Sequence, residues 1–158
     1  MIPSDNSFDK NSSYEDNGRT IFRWHHVHRK GGYQLYFRIV STNSVHRQGI
    51  ALFFSDFKGK VLLNGMQLKI PKGVFGHYVF KEGEFPNNEF VLSVHAEEGH
   101  VFFGNASERE EIGLFTCGAF SNAFWLEQID CTAFRFHCND HEYDEDFDDM
   151  IFEMSVLD

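Results

Sequence analysis

The sequence predicts an all-β fold, a two-sheet β-sandwich of jelly-roll or other Greek-key topology with few or no helices. From Thr20 onward, short runs with apolar residues at alternate positions are separated by turns that contain glycine. No window of about 12 residues keeps the 3.6-residue period of a long helix. About ten to twelve such strands are typical of a sandwich or barrel, in which facing sheets bury their apolar sides against each other.

The composition fits one globular domain. The chain has 158 residues, of which 42% are hydrophobic and 24% charged, and this is enough to bury a core. A net charge of -10 argues against nucleic acid as a partner. There is no apolar run of about 18 residues to cross a membrane. A carbohydrate or protein ligand is the expected partner, with the oligomeric state left open.

The N-terminal residues and the cysteines suggest a compartment. The first residues lack the basic region and apolar core of a signal peptide. Cys117, Cys131 and Cys138 are odd in number and have no paired spacing, so we expect reduced, partly buried thiols in a cytoplasmic protein. The polar residues 1–19 are predicted to be a flexible N-terminal segment with room for one short edge strand, and residues 20–158 a single β-sandwich domain.

The predicted strands follow one another at short intervals. Each is rich in β-branched or aromatic residues and most alternate apolar with polar positions, as a half-buried strand does. In order they are Ile21–His28, Tyr33–Val40, Ile50–Phe54, Lys60–Leu63, Met66–Ile70, His77–Phe80, Phe90–Ala96, His100–Phe103, Ala123–Glu127, Thr132–Cys138 and Met150–Val156.

Four glycine-containing pairs predict the turns between these strands. Glycine accepts the positive φ that tight turns require, so each pair is interpreted as a chain reversal. The first is expected to close a hairpin between Ile21–His28 and Tyr33–Val40. The four pairs are Gly31-Gly32, Lys58-Gly59, Asn64-Gly65 and Glu98-Gly99.

The segment Asn139–Asp149, here called the acidic segment, contains seven acidic residues between two predicted strands. Antiparallel flanking strands would make it a hairpin loop and crowd its carboxylates. Calcium binds six to eight oxygen ligands and relieves such repulsion. The alternative is a solvated acidic loop without a ligand. The predicted metal ligands are Asp140, Asp144, Asp146, Asp148 and Asp149.

Part of the acidic segment resembles a known calcium-binding pattern. The stretch Asp144–Phe152 is similar to the Asp-x-Asp-Phe-(Asn/Asp)-Asp-hydrophobic segment of some calcium-binding bacterial β-sandwich domains. This resemblance covers about a dozen residues. It implies a β-sandwich with calcium as the cofactor and does not fix a function.

The histidines suggest a second kind of metal site. His26 and His28 point the same way in a strand. Two imidazoles at this spacing can bind zinc, iron, nickel or manganese. The segment Gly65–His77 contains Gly-x5-Pro-x-Gly before its histidine and resembles the second cupin motif. The resemblance implies a metal held by His26, His28 and His77, with Gln34 as a weak fourth ligand. The alternative is an exposed hairpin end that happens to be rich in histidine.

No catalytic residue is assigned from the sequence, because phosphate-binding loops and nucleophile elbows are absent. Tyr36 and Tyr143 are the candidate ligand-binding aromatics, since both are expected outside the core and tyrosine can stack on a sugar ring.

Three functions remain open from the sequence. They are a non-catalytic, calcium-stabilised module that binds carbohydrate or protein, a cupin-like metalloenzyme, and an acidic interaction protein without a metal that meets a basic surface.

Overall fold

The computed structural model describes residues 13–70, 77–117, 122–142 and 146–157, although nothing is described of the side chain of His77. The described residues form twelve strands and one 3-10 turn, Pro86–Asn88, with no α-helix. The strands are β1 Ser13–Asp16, β2 Arg19–Phe22, β3 His25–Val27, β4 Gly31–Thr42, β5 Gln48–Leu63, β6 Met66–Gln67, β7 His77–Lys81, β8 Glu89–Arg109, β9 Leu114–Cys117, β10 Phe124–Gln128, β11 Ala133–Cys138 and β12 Met150–Leu157.

All twelve strands belong to one antiparallel hydrogen-bonded network, which confirms the all-β prediction. The order is β1-β2-β10-β11-β12-β4-β8-β5-β6, with β3 and β9 paired to β8 and β7 paired to β5. The predicted hairpin around the acidic segment forms, because β11 pairs with β12 from Ala133↔Ser155 to Cys138↔Met150. Strand β1 is a short edge strand within the predicted N-terminal segment, and residues 1–12 lie outside the described part.

Two of the predicted turns are wrong. Gly59 and Gly99 lie inside the continuous strands β5 and β8, which pair with each other across a bulge between Ser55 and Gly59. Both glycines have positive φ, and a Cβ at Gly59 would overlap the carbonyl oxygen of His95. These glycines therefore allow two paired strands to bend together instead of reversing the chain.

The bend folds the network over its own core. Phe37 of β4 lies opposite Phe90 of β8, with ring centroids 4.9 Å apart. Its ring is also 4.9 Å from that of Phe103, much further along the same strand. A straight strand would separate Phe90 from Phe103 by about 40 Å. The two halves of β8 thus lie on either side of a phenylalanine-rich core. The jelly-roll topology itself stays a prediction.

The hairpin predicted at Gly31-Gly32 is also wrong. Strand β3 pairs with β8, while β4 lies between β12 and β8. The pair Asn64-Gly65, in contrast, is a tight turn as predicted, with φ values of 48° and 85° and pairing of Leu63 with Met66.

The three cysteines are free thiols, as predicted. Cys138 is buried and Cys117 partly buried, whereas Cys131 is exposed and differs from the expectation. Among the described residues there is no helix with the length and apolar character needed to span a membrane.

Candidate functional site

Pairing of β3 with β8 creates a cluster of three imidazoles. His26 lies opposite Phe102 and Val27 opposite Val101. Because side chains alternate between faces, His28 and His100 follow on the same face as His26. His25 projects the other way, onto the rings of Phe134 and Phe136, and burial lowers its pKa to about 3. Strand periodicity thus separates one core histidine from two outer ones.

The three-histidine cluster, His26, His28 and His100, has the dimensions of a metal site. One ligand nitrogen from each lies within 4.8 Å of the others. His26 Nε2 and His100 Nδ1 are 2.7 Å apart. The ring centroids of His28 and His100 are separated by 4.3 Å. Nitrogens around a tetrahedral zinc ion are about 3.3 Å apart, so a small outward rotation of the rings makes room for an ion.

Buried aromatic side chains pack against the inner side of this cluster. The ring of His26 stacks on Phe102 with centroids 4.8 Å apart. Phe102 is fully buried and belongs to an apolar group with Trp24 and Phe53. His28 is exposed, whereas His26 and His100 are partly buried. The cluster therefore combines two supported imidazoles with one that contacts solvent.

His77 and Gln34 were the other predicted members of this site. The backbone of His77, in β7, lies opposite Phe53 of β5. Strands β5 and β8 lie between β7 and β3. Three strand spacings put about 14 Å between the backbones of His77 and His26, and the His77 side chain is outside the described residues. Gln34 donates a hydrogen bond from its amide to Ser93. The third histidine that the described structure places beside the pair is His100.

Two buried carboxylates of the acidic segment, those of Asp140 and Asp149, are engaged with the chain itself. Asp140 accepts hydrogen bonds from the Ser44 hydroxyl at 2.5 Å and from the Glu142 backbone at 2.7 Å. Asp149 accepts one from the Asp140 backbone at 2.9 Å. Both carboxylates are at least 95% buried. They hold the loop in shape by satisfying donors that would otherwise be buried and unpaired.

The predicted calcium ligands therefore divide into groups. Asp146, Asp148 and Asp149 each bring a carboxylate oxygen within 4.8 Å of the others, and Asp140 is not in this group. Asp148 also accepts a hydrogen bond from the Asn43 amide at 3.0 Å. Asp144 lies outside the described residues.

The two predicted ligand-binding tyrosines are not brought together by any described contact. Tyr36 is partly buried in β4, where burial and a hydrogen bond with Glu89 raise its pKa. Tyr143 lies outside the described residues. Their role in binding carbohydrate stays a prediction.

A second cluster joins His46 to two residues of the acidic segment, His141 and Glu142, and its ligand atoms are also within 4.8 Å of one another. The rings of His46 and His141 have centroids 4.3 Å apart. Burial alone would lower the pKa of His46, but the carboxylates of Glu110 and Glu142 raise it above its ordinary value. Neither the cluster nor its position at the meeting of several loops was predicted.

Ser107 and His141 form a serine–histidine contact of 2.7 Å between Oγ and Nδ1. This spacing is typical of a nucleophile and its base. However, Ser107 is fully buried, and its hydroxyl already accepts hydrogen bonds from the Asn122 amide and the His141 backbone. The serine therefore anchors the start of the acidic segment and is not placed to attack a substrate.

No family model, curated protein or solved structure matches this chain. The functional proposal therefore rests on the geometry of the chain's own residues.

Sequence reasoning missed His100 because the strand that contains His26 was expected to pair with Tyr33–Val40, whereas it pairs with the strand that contains His100. It missed His46 and Glu142 because they lie in loops, where residue spacing carries no information about neighbours.

Proposed function

We propose that the protein is a metal-binding all-β module that holds a divalent transition metal ion with His26, His28 and His100. The observation that carries the proposal is the convergence of three imidazoles, with ligand nitrogens within 4.8 Å, from two paired strands. The proposed ligands include His26 and His28, which the sequence predicted, and His100 takes the place of the predicted His77.

The donor set selects the class of ion. Neutral imidazole nitrogens suit zinc, copper, nickel and iron, whereas calcium and magnesium prefer oxygen. The paired strands hold His26 and His100 in a regular ladder, and stacking on Phe102 restricts the ring of His26. Little ordering is then required when the ion binds, which favours affinity.

Zinc affinity of chelator-stripped protein, measured by competition with a chromophoric chelator, tests this proposal. The zinc affinity of the three-histidine cluster should weaken at least about 100-fold in His100→Ala, because two remaining imidazoles bind far less well than three. His95→Ala is the matched control, since His95 is an exposed histidine on the same strand. Equal zinc affinity in wild type and His100→Ala would refute the proposal.

Calcium binding at the acidic segment is the second candidate, favoured by the approach of Asp146, Asp148 and Asp149. Because Asp140 and one oxygen of Asp149 accept hydrogen bonds from the chain, few oxygens remain and millimolar affinity is expected. Millimolar calcium should then raise the Tm of stripped protein by a few degrees, and Asp146→Asn should remove the rise. An unchanged Tm would refute calcium binding and leave a solvated loop.

A further inference from the structure

The second cluster and its neighbour Glu110 join three separate parts of the chain. His46 belongs to the connection between β4 and β5, while His141 and Glu142 belong to the connection between β11 and β12. Glu110, in the turn between β8 and β9, contacts His46 from the opposite side. An ion bound here would therefore tie the acidic segment to two other loops.

His46 presents one nitrogen that is ready for a ligand. Its Nδ1 is 2.8 Å from Glu110 Oε2, in hydrogen-bond contact. Its Nε2 is buried and lies 3.2 Å from Glu142 Oε1, at an angle outside ordinary hydrogen-bond geometry. A carboxylate on one ring nitrogen commonly orients a histidine whose other nitrogen binds a metal. Glu110 and Nε2 of His46 match that arrangement.

His141 has the same division of roles between its two nitrogens. Its Nδ1 contacts the Ser107 hydroxyl at 2.7 Å, so Nε2 is the nitrogen left for a ligand. Its ring lies 4.3 Å from that of His46. Each of the two histidines is thus oriented through Nδ1 by a neighbouring side chain.

We propose that His46, His141 and Glu142 form a second divalent transition-metal site, with Glu110 as a positioning residue. Two imidazoles and one carboxylate form a donor set that binds iron, manganese or zinc. The nearby buried carboxylate of Asp140 adds negative charge that favours a cation. This site is independent of the three-histidine cluster.

The second site is the weaker of the two. With a metal on Nε2, the proton of His141 sits on Nδ1 and points at Ser107 Oγ. That oxygen already accepts hydrogen bonds from Asn122 Nδ2 at 2.9 Å and from the His141 backbone at 3.1 Å. A hydroxyl oxygen has two lone pairs, so a third donor is poorly accommodated. We expect this crowding to reduce zinc affinity relative to the three-histidine cluster.

A protonated His46 between Glu110 and Glu142 is the competing explanation. In that case the cluster is an ion pair that holds three loops together without a metal. The two explanations differ in one measurable respect. An ion pair changes the stability of metal-free protein, whereas a metal site changes the number of ions bound.

The test counts zinc in protein whose three-histidine cluster has been removed by His26→Ala together with His100→Ala. One equivalent should remain, and adding Glu142→Gln should weaken it at least about 10-fold. Glu97→Gln is the matched control, since both glutamate side chains are 69% exposed. Glu110→Gln should weaken zinc by about 10- to 100-fold and keep the stoichiometry. Zinc retained with unchanged affinity in Glu142→Gln, or no zinc in the double variant, would overturn the proposal.

Two further measurements keep the test decisive. If the double variant does not fold, wild type should bind two equivalents of zinc, and Glu142→Gln should lose only the weaker one. Copper(II) bound to the double variant should show two coordinated imidazoles by pulsed electron paramagnetic resonance, and His46→Gln should leave one. A copper spectrum that His46→Gln does not change would overturn the assignment of His46 as a ligand.

Discussion

The three-histidine cluster and the acidic segment are built in opposite ways. In the cluster, imidazoles on regular strands meet one another, with His26 and His100 nitrogens 2.7 Å apart. In the acidic segment, buried carboxylates meet donors of their own chain, and Asp140 accepts bonds from Ser44 and Glu142. The first arrangement gains from an added ion, because the ion replaces contacts between like groups. In the second, the buried carboxylates already have partners and serve the fold.

The difference bears on how charge clusters are interpreted. A row of acids in a sequence predicts crowding, but backbone and hydroxyl donors relieve crowding as well as a cation does. Asp149 illustrates this, since it accepts the backbone N–H of Asp140 within the same loop. Metal sites are better identified by ligand atoms that face each other than by the number of acids.

The largest expected effect is stabilisation by zinc through the three-histidine cluster. Zinc at about 1,000 times its Kd should raise the free energy of unfolding by about 4 kcal/mol, which is roughly 8–16 °C in Tm for a chain of this length. In His100→Ala the rise should fall to the smaller contribution of the second cluster. Calorimetry of stripped protein with and without zinc measures both values.

This contrast between the three-histidine cluster and the acidic segment would be wrong if calcium raised the Tm more than zinc does. A calcium shift larger than the zinc shift would mean that the acidic segment is the main ion site. His95→Ala should keep the full zinc shift, because His95 is exposed and belongs to neither cluster.

The next largest expected effect is the pH dependence of stability caused by His25, the buried neighbour of His26. His25 is packed against Phe134 and Phe136, and burial lowers its pKa from 6.5 to about 3. The unfolded chain therefore binds a proton that the folded chain does not, and stability falls as pH drops below about 6.5. At pH 4 this linkage costs about 3 kcal/mol.

His25→Phe should remove that part of the acid sensitivity. The stability difference between the variant and wild type should shift by about 3 kcal/mol in favour of the variant between pH 7 and pH 4. Denaturant unfolding at the two pH values measures it. A difference independent of pH would show that His25 is not held neutral in the core.

The sequence was sufficient for the strand content and for some turns, but not for the path of the longest strands. Asn64-Gly65 forms the predicted turn, with two successive positive φ values. Gly59 and Gly99 carry the same local signal, yet they are bends where β5 and β8 pass each other closely. Glycine permits both conformations, and only the distant partner strand decides between them.

The candidate site shows the same limit. Alternation along one strand was enough to put His26 and His28 on one face. His100 joins them because β3 pairs with β8, a long-range contact that no local spacing encodes. The hairpin around the acidic segment was predictable from its two flanking strands, but the hydrogen bond that Ser44 donates to Asp140 comes from another loop.

The smallest effect concerns stability without any ion. Asp140→Ala should destabilise metal-free protein by about 2 kcal/mol, because the Ser44 hydroxyl and the Glu142 backbone N–H lose their acceptor. Asp140 is only 4% exposed, so water does not easily replace the lost oxygen atoms. Denaturant unfolding in the presence of a chelator measures this cost.

Asp146→Ala is the matched comparison, because it removes the same charge from the same segment. Asp146 is exposed, so a change within about 0.5 kcal/mol is expected. Repulsion among the acids would make both variants more stable than wild type. If both gain stability, crowding governs the segment, and the carboxylates are not acting as internal hydrogen-bond acceptors. A loss confined to Asp140→Ala would instead show that burial and donors, rather than charge, decide what each carboxylate does.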